Sequence, residues 1–166
     1  VKRYKIFLIL LLMACVYGIG FAQEDQKPVD SSVNMERMAD QMKFDQGKYF
    51  FELEQYDQAL ENLHEYLELY LHGAHRGEAY RMIANVYFQR FRYNRAAEVY
   101  RSLLEEYPGS ENGIRGMYKM GICYKKMGDA DRASAIFSRL IREYPSSSYA
   151  HHSRVMLDVM KIVSSE

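Results

Sequence analysis

Two cysteines in 166 residues are too few for the disulfide framework that holds small secreted domains together. Lys plus Arg and Asp plus Glu stand at 22 each, so the chain lacks the basic surplus that phosphate-dominated nucleic-acid binding needs. No glycine-rich phosphate loop occurs, and no Ser-His-Asp order suggests itself. Histidine is sparse: His72 and His75 flank a Gly-Ala in a connection, and His151-His152 open a helix. Two histidines without carboxylate or thiolate partners do not make a metal site, so neither metal nor cofactor is expected. What the chain has in plenty is apolar side chains, 48% against 27% charged. That suffices for one core of ordinary size and excludes the disordered and collagen-like classes.

The first 22 residues follow a targeting pattern. Lys2, Arg3 and Lys5 precede an uncharged apolar run from Ile6 to Ala22, and Gln23-Glu24-Asp25-Gln26 follows at once. This is the layout of a secretory signal, with Gly20 and Ala22 placed for cleavage before Gln23. Leu12-Met13-Ala14-Cys15 resembles a bacterial lipobox and offers lipidation of Cys15 as an alternative. An uncleaved anchor is a third, because 17 residues are at the short limit for a spanning helix. Each of these places the rest of the chain outside the cytoplasm, with residues 23–33 as a linker. Without the leader, 19 basic and 22 acidic side chains remain. They are unevenly placed: residues 23–75 carry 4 basic and 12 acidic groups, and 76–166 carry 15 and 10. This polarity marks either solvated helix faces or a docking surface.

Aligned with itself at an offset of 37, the chain matches in many columns: Gly47, Ala84 and Gly121; Phe50, Tyr87 and Tyr124; Ala59, Ala96 and Ala133. Leu63, Tyr100 and Phe137 follow, then Tyr66, Leu103 and Leu140, then Tyr70, Tyr107 and Tyr144, with Pro108 and Pro145 closing two copies. Within a copy, apolar residues recur at three and four, the helical period. Small residues fall where two helices must approach closely, and breakers such as Pro108-Gly109-Ser110 and Gly128-Asp129 separate the helices. Each copy therefore predicts a helix pair: A helices over 34–54, 76–91 and 110–127, and B helices over 56–71, 93–107 and 130–144. A seventh helix over 147–163 keeps Leu157 in the offset but has Asp158 and Lys161 in the Gly and Tyr columns. That suits the last, capping element of a stack. The Met35, Met38, Met42 stripe reads as core packing or a cover for the first repeat, and Cys123 as a buried, inert thiol.

The order of a large residue before a small one (Gln46-Gly47, Ile83-Ala84, Met120-Gly121), an aromatic three later, then Ala, an aromatic or Leu, and Pro resembles the tetratricopeptide repeat. That family has a unit of about 34 residues; here the extra residues fall in the connection from B to the next A. The longer unit is similar to the envelope branch of the family, above all the repeat region of the Tol-Pal-associated cell-division coordinator and the outer-membrane β-barrel assembly lipoprotein. The resemblance covers residues 34–163, in repeats of about 40–76, 77–113 and 114–150. It implies an all-α, right-handed superhelix of three helix pairs plus a C-terminal capping helix.

The resemblance also implies that A helices line a concave face. The side chains carried onto that face are Phe44, Lys48 and Phe51; Arg81, Asn85 and Phe88; and Arg115, Tyr118, Ile122 and Lys125. The aromatics are either peptide anchors or packing between neighbouring helices. Arg81 and Asn85 match positions at which some members clamp a terminal carboxylate, with Lys119 where an amide would be expected. The implied role is a non-catalytic periplasmic or outer-membrane scaffold that binds an envelope protein or peptide and no nucleic acid, with membrane attachment through the N-terminus as an option. A peptidoglycan- or glycan-binding accessory and a self-assembling structural component are the alternatives.

Overall fold

A computed structural model describes residues 31–164. The leader, Cys15 and residues 23–30 of the linker lie outside the described residues. Met35–Glu166 form one compact unit, which carries the fold.

Seven helices make up the described chain: α1 (Ser31–Glu52), α2 (Tyr56–Leu69), α3 (Arg76–Gln89), α4 (Tyr93–Glu106), α5 (Glu111–Lys126), α6 (Ala130–Glu143) and α7 (Ser148–Ser164). No strand occurs among the described residues. The expected helix pairs are α1/α2, α3/α4 and α5/α6, with α7 as the terminal helix. Observed ends fall within a few residues of the expected ones, α1 starting at Ser31.

The same turn ends each A helix. Glu54, Phe91 and Gly128, 37 residues apart, all have φ near the left-handed helical value, at 57°, 59° and 78°. The next amide reaches back five residues, from Gln55 to Phe50, Arg92 to Tyr87 and Asp129 to Tyr124, at 2.8–3.0 Å. These bonds satisfy carbonyls that the helix end leaves open. Glycine adopts this conformation freely, whereas any other residue pays about 1–2 kcal/mol there. Helix starts differ more. Ser110 accepts from the Gly113 amide (3.1 Å) and Asp129 from Arg132 (2.9 Å), whereas His75 before α3 offers no side-chain cap.

The small-residue column is where each A helix meets its own B helix. A methyl group at Gly47 would stand 2.7 Å from Leu63 Cδ2, and one at Gly121 2.6 Å from Phe137 Cε1. Ala84 is fully buried between them in the series. The Ala59, Ala96, Ala133 column and the Leu63, Tyr100, Phe137 column are buried as well.

Consecutive helices pack on one another from α2 to α7, and A helices also touch across the pairs, α3 on α5 and α5 on α7. Among the described residues the B helices α2, α4 and α6 make no comparable contact with each other. A stack whose A helices converge while its B helices spread curves toward the A side. The A helices therefore line the concave surface, and crevices open between B helices on the other, one of them lined by His64, Glu68, Tyr87, Arg95 and Ser102.

The ends correct two expectations. Met35, Met38 and Met42 are exposed, so of the two readings of that stripe core packing does not hold. The outer face of α7 holds Asp158 and Lys161 as expected but also exposes Val155, Val159 and Val163.

Candidate functional site

Arg81 and Asn85 lie one turn apart on α3, and both are half-buried. Asn85 Oδ1 accepts a hydrogen bond from the Tyr100 hydroxyl of α4 at 3.0 Å, which leaves the amide NH₂ of Asn85 to donate elsewhere. Arg81 Nη2 donates to Glu78 at 3.0 Å, a part-buried pair within the helix. Beyond Tyr100 comes Cys123 of α5. Burial pushes its thiol up to about 12, against the opposing pull of Lys119. Burial likewise raises Tyr100 well above the ordinary phenol range, with Cys123 adding to the shift and Arg81 opposing it. Both groups are neutral at physiological pH, so neither cancels the positive charge beside them. Lys119, half-buried, joins no ion pair among the described residues. Cys123 is thus the expected inert thiol.

Further along, Tyr118 of α5 is surrounded by rings: Tyr149 at 5.6 Å, Phe137 at 5.8 Å and His152 at 5.9 Å between centroids. Arg115 Nε donates to the Tyr149 hydroxyl at 2.8 Å, and Nη2 to Glu111 at 3.0 Å. Lys125 is exposed, with Nζ 3.7 Å from Met156 Sδ, and Ile122 is half-buried against the central core. The structure thus groups Arg81, Asn85, Arg115, Tyr118, Ile122 and Lys125 on neighbouring A helices.

The first repeat departs from the expected list. Phe44 is 2% exposed, stacked on His75 at 4.6 Å and tilted against Tyr66 at 5.6 Å. It is a core residue and cannot meet a ligand. Lys48 is half-buried. Phe51 and Phe88 are also half-buried, Phe51 6.2 Å from Tyr56 and Phe88 edge-on to Tyr93 at 5.1 Å. For this column the packing alternative describes the geometry: each ring seats the start of its own B helix.

Three groove residues escaped the expected list. Lys119 entered only as a mismatch to a family pattern. Tyr149 and His152 sit on α7, which reads as a cap from its polar columns. The offset of 37 could have found His152, because it shares a column with Glu78 and Arg115. Among the described residues no group of three or more His, Cys, Asp or Glu could hold a metal.

Tetratricopeptide repeat families match residues 44–111 and 115–147, together spanning all three helix pairs. These are tetratricopeptide repeats. The N-terminal domain of stress-induced protein-1 (STI-1) from C. elegans shares the fold, with a TM-score of 0.60 at 17% identity over 71% of this chain and 94% of that one. The TPR2AB domain of yeast Sti1, in its complex with pHSP90, has a TM-score of 0.61 at 17% identity, over 76% of this chain and 49% of that one. The repeat region here therefore spans about half of the yeast structure. No curated protein matches this chain in sequence. Tetratricopeptide stacks are interaction scaffolds, and protein or peptide binding is the role that this fold supports.

Proposed function

We propose that this tetratricopeptide repeat protein is a non-catalytic scaffold of the bacterial cell envelope that holds an acidic peptide segment of another envelope protein in its concave groove. The observation that carries the reading is the half-buried Lys119 of α5, in no ion pair among the described residues, together with Arg81 and the free amide of Asn85 on the touching helix α3, around Tyr100 and Cys123 kept neutral by burial. A cation held in partial burial without a partner gains from a carboxylate, and Asn85 supplies a directed donor. The rings of Tyr118, Tyr149 and His152 next to it offer an aromatic wall for an apolar side chain of the same peptide. Support for the envelope comes from the cationic start, apolar run and small residues before Gln23.

Photo-crosslinking in cells tests both parts. A crosslinkable residue at Lys125 or Ile122 should capture a discrete partner, and one at Arg142 on the B side should not. Lys119→Glu should weaken that capture about ten-fold or more while the thermal midpoint stays put. Phe88 is a poorer probe, because its ring supports Tyr93. Equal capture from both faces would overturn the groove reading. Crosslinked partners confined to the cytosol would overturn the location.

A further inference from the structure

Met35, Met38, Met42 and Tyr49 form one stripe along α1 and are 71%, 59%, 67% and 58% exposed. Val155, Val159 and Val163, four residues apart, form another along α7 and are 45%, 39% and 69% exposed. Both stripes keep helical spacing and large apolar side chains, which solvated faces do not require. They lie on the first and last helices of the described stack.

We propose that the two faces are halves of one contact, the α7 face of one copy seating on the α1 face of a second copy. Shape favours this pairing. Flexible methionines adapt around a stiff ridge of valines, as in helix packing within a core. Charge favours it as well. Between Met35 and Leu69 there are nine acidic and three basic side chains, and between Glu111 and Ser164 nine basic and five acidic. Head-to-tail association places the acidic end of one copy against the basic end of the next. Pairing α1 with α1, or α7 with α7, places like charge on like. A single helix face is smaller than the roughly 800 Å² per partner of a stable interface, so the contact is weak and depends on concentration. It is heterologous and does not close on itself, so copies add in a row and the concave groove continues from one to the next.

Sedimentation of the full chain across a concentration series tests this with two exposed-site variants. Met38→Lys with Met42→Lys disables the α1 face, and Val155→Asn with Val159→Asn disables the α7 face. The parent should rise in mass past the dimer, each variant alone should stay monomeric, and an equimolar mixture should form dimers and nothing larger. Each variant alone should need at least ten-fold higher concentration to associate. Both must keep the parent's helical circular dichroism and thermal midpoint; Met38→Ser alone replaces the α1-face pair, and Val159→Ser alone the α7-face pair, where that pair does not. A dimer that persists in the α1-face variant alone would mean that α7 pairs with itself and would overturn the proposal. Association that survives in both variants would belong to the N-terminal apolar run, which is unchanged in all samples, and would overturn it equally. So would a parent that stays monomeric throughout.

Discussion

The first and third repeats share one frame of columns yet secure themselves in different ways. In the third, the α5/α6 pair is held by apolar contact: Gly121 lets Phe137 come close, and Phe137, Leu140 and Met117 are fully buried. Its entry is capped locally by Ser110, and α7 begins on a bond from the Tyr149 amide to Ser147 Oγ at 3.1 Å. The first repeat leads into α3 without proline or a capping serine. There Asp40, 7% exposed, accepts from the Tyr66 hydroxyl at 2.6 Å and from the Ala74 amide at 3.0 Å. Tyr66 in turn accepts from the His75 amide at 3.0 Å. A carboxylate borrowed from α1, with the Tyr66 hydroxyl, thus holds the two amides just before α3, whereas a neighbouring serine caps the first turn of α5. Arg76 completes the clasp, with Nε and Nη2 on Glu106 at 2.6 and 2.7 Å and Nη1 on the carbonyls of Leu67 and Tyr70. One architecture accepts either solution because the helix end requires only that its open amides find acceptors.

Four measurements would break or sharpen this contrast. Phe137→Ala removes the largest fully buried side chain of the apolar repeat and should cost about 3–5 kcal/mol in denaturant unfolding. A loss near zero would mean that the third pair does not depend on that ring. Asp40→Ala strips acceptors from a buried hydroxyl and an amide and should cost about 2 kcal/mol. Combined with Tyr66→Phe in a double-mutant cycle, it should show a coupling of about 1 kcal/mol; strict additivity would dissolve the clasp into separate contacts.

The third measurement uses pH. Hydrogen bonds from Arg76 hold the Glu106 carboxyl below its ordinary range. A depressed carboxylate stabilises the fold at any pH above its unfolded value, about 4.3, and that stabilisation disappears as pH falls through the lower folded value. The parent should therefore lose more stability between pH 5 and pH 3 than Arg76→Met does, since Asp57, Asp129 and Glu143 titrate alike in both. Parallel curves would remove Arg76 from the clasp's electrostatics. The smallest effect is at the turns. Gly128→Ala should cost about 1 kcal/mol, and Phe91→Gly should recover a part of that amount, because both residues hold positive φ. Thermal melts that move together in direction would mean that the three turns are not equivalent.

The helices were legible because burial recurs every 37 residues, and a repeated column reports a repeated neighbour. The groove was legible only where a side chain's surroundings also repeat. Arg81, Asn85 and Lys125 stay partly or fully open to solvent; Phe44 does not, since His75, from an unrepeated connection, stacks over it. The Asp40 clasp left no trace in the columns, because its acceptor and its amides are 34 residues apart and occur once. The exposed methionines misled for a related reason: an amphipathic stripe says that a face is apolar and is silent on whether a neighbour exists to cover it.

The turns after α1, α3 and α5 have a mechanical consequence. A closed turn with a five-residue backbone bond allows little rotation, so each A and B helix move as one rod pair. Bending of the stack must then gather at the links from B to the next A. The first of these is riveted by the several bonds of Asp40, Tyr66 and Arg76, whereas those at Pro108 and Pro145 are each spanned by one side-chain bond to a tyrosine hydroxyl, Arg101 to Tyr124 at 3.1 Å and Arg115 to Tyr149 at 2.8 Å. The repeat region is therefore a spring with one stiff coil and two soft ones, and the groove gapes or narrows mainly around α5, where Lys119 and Tyr118 sit.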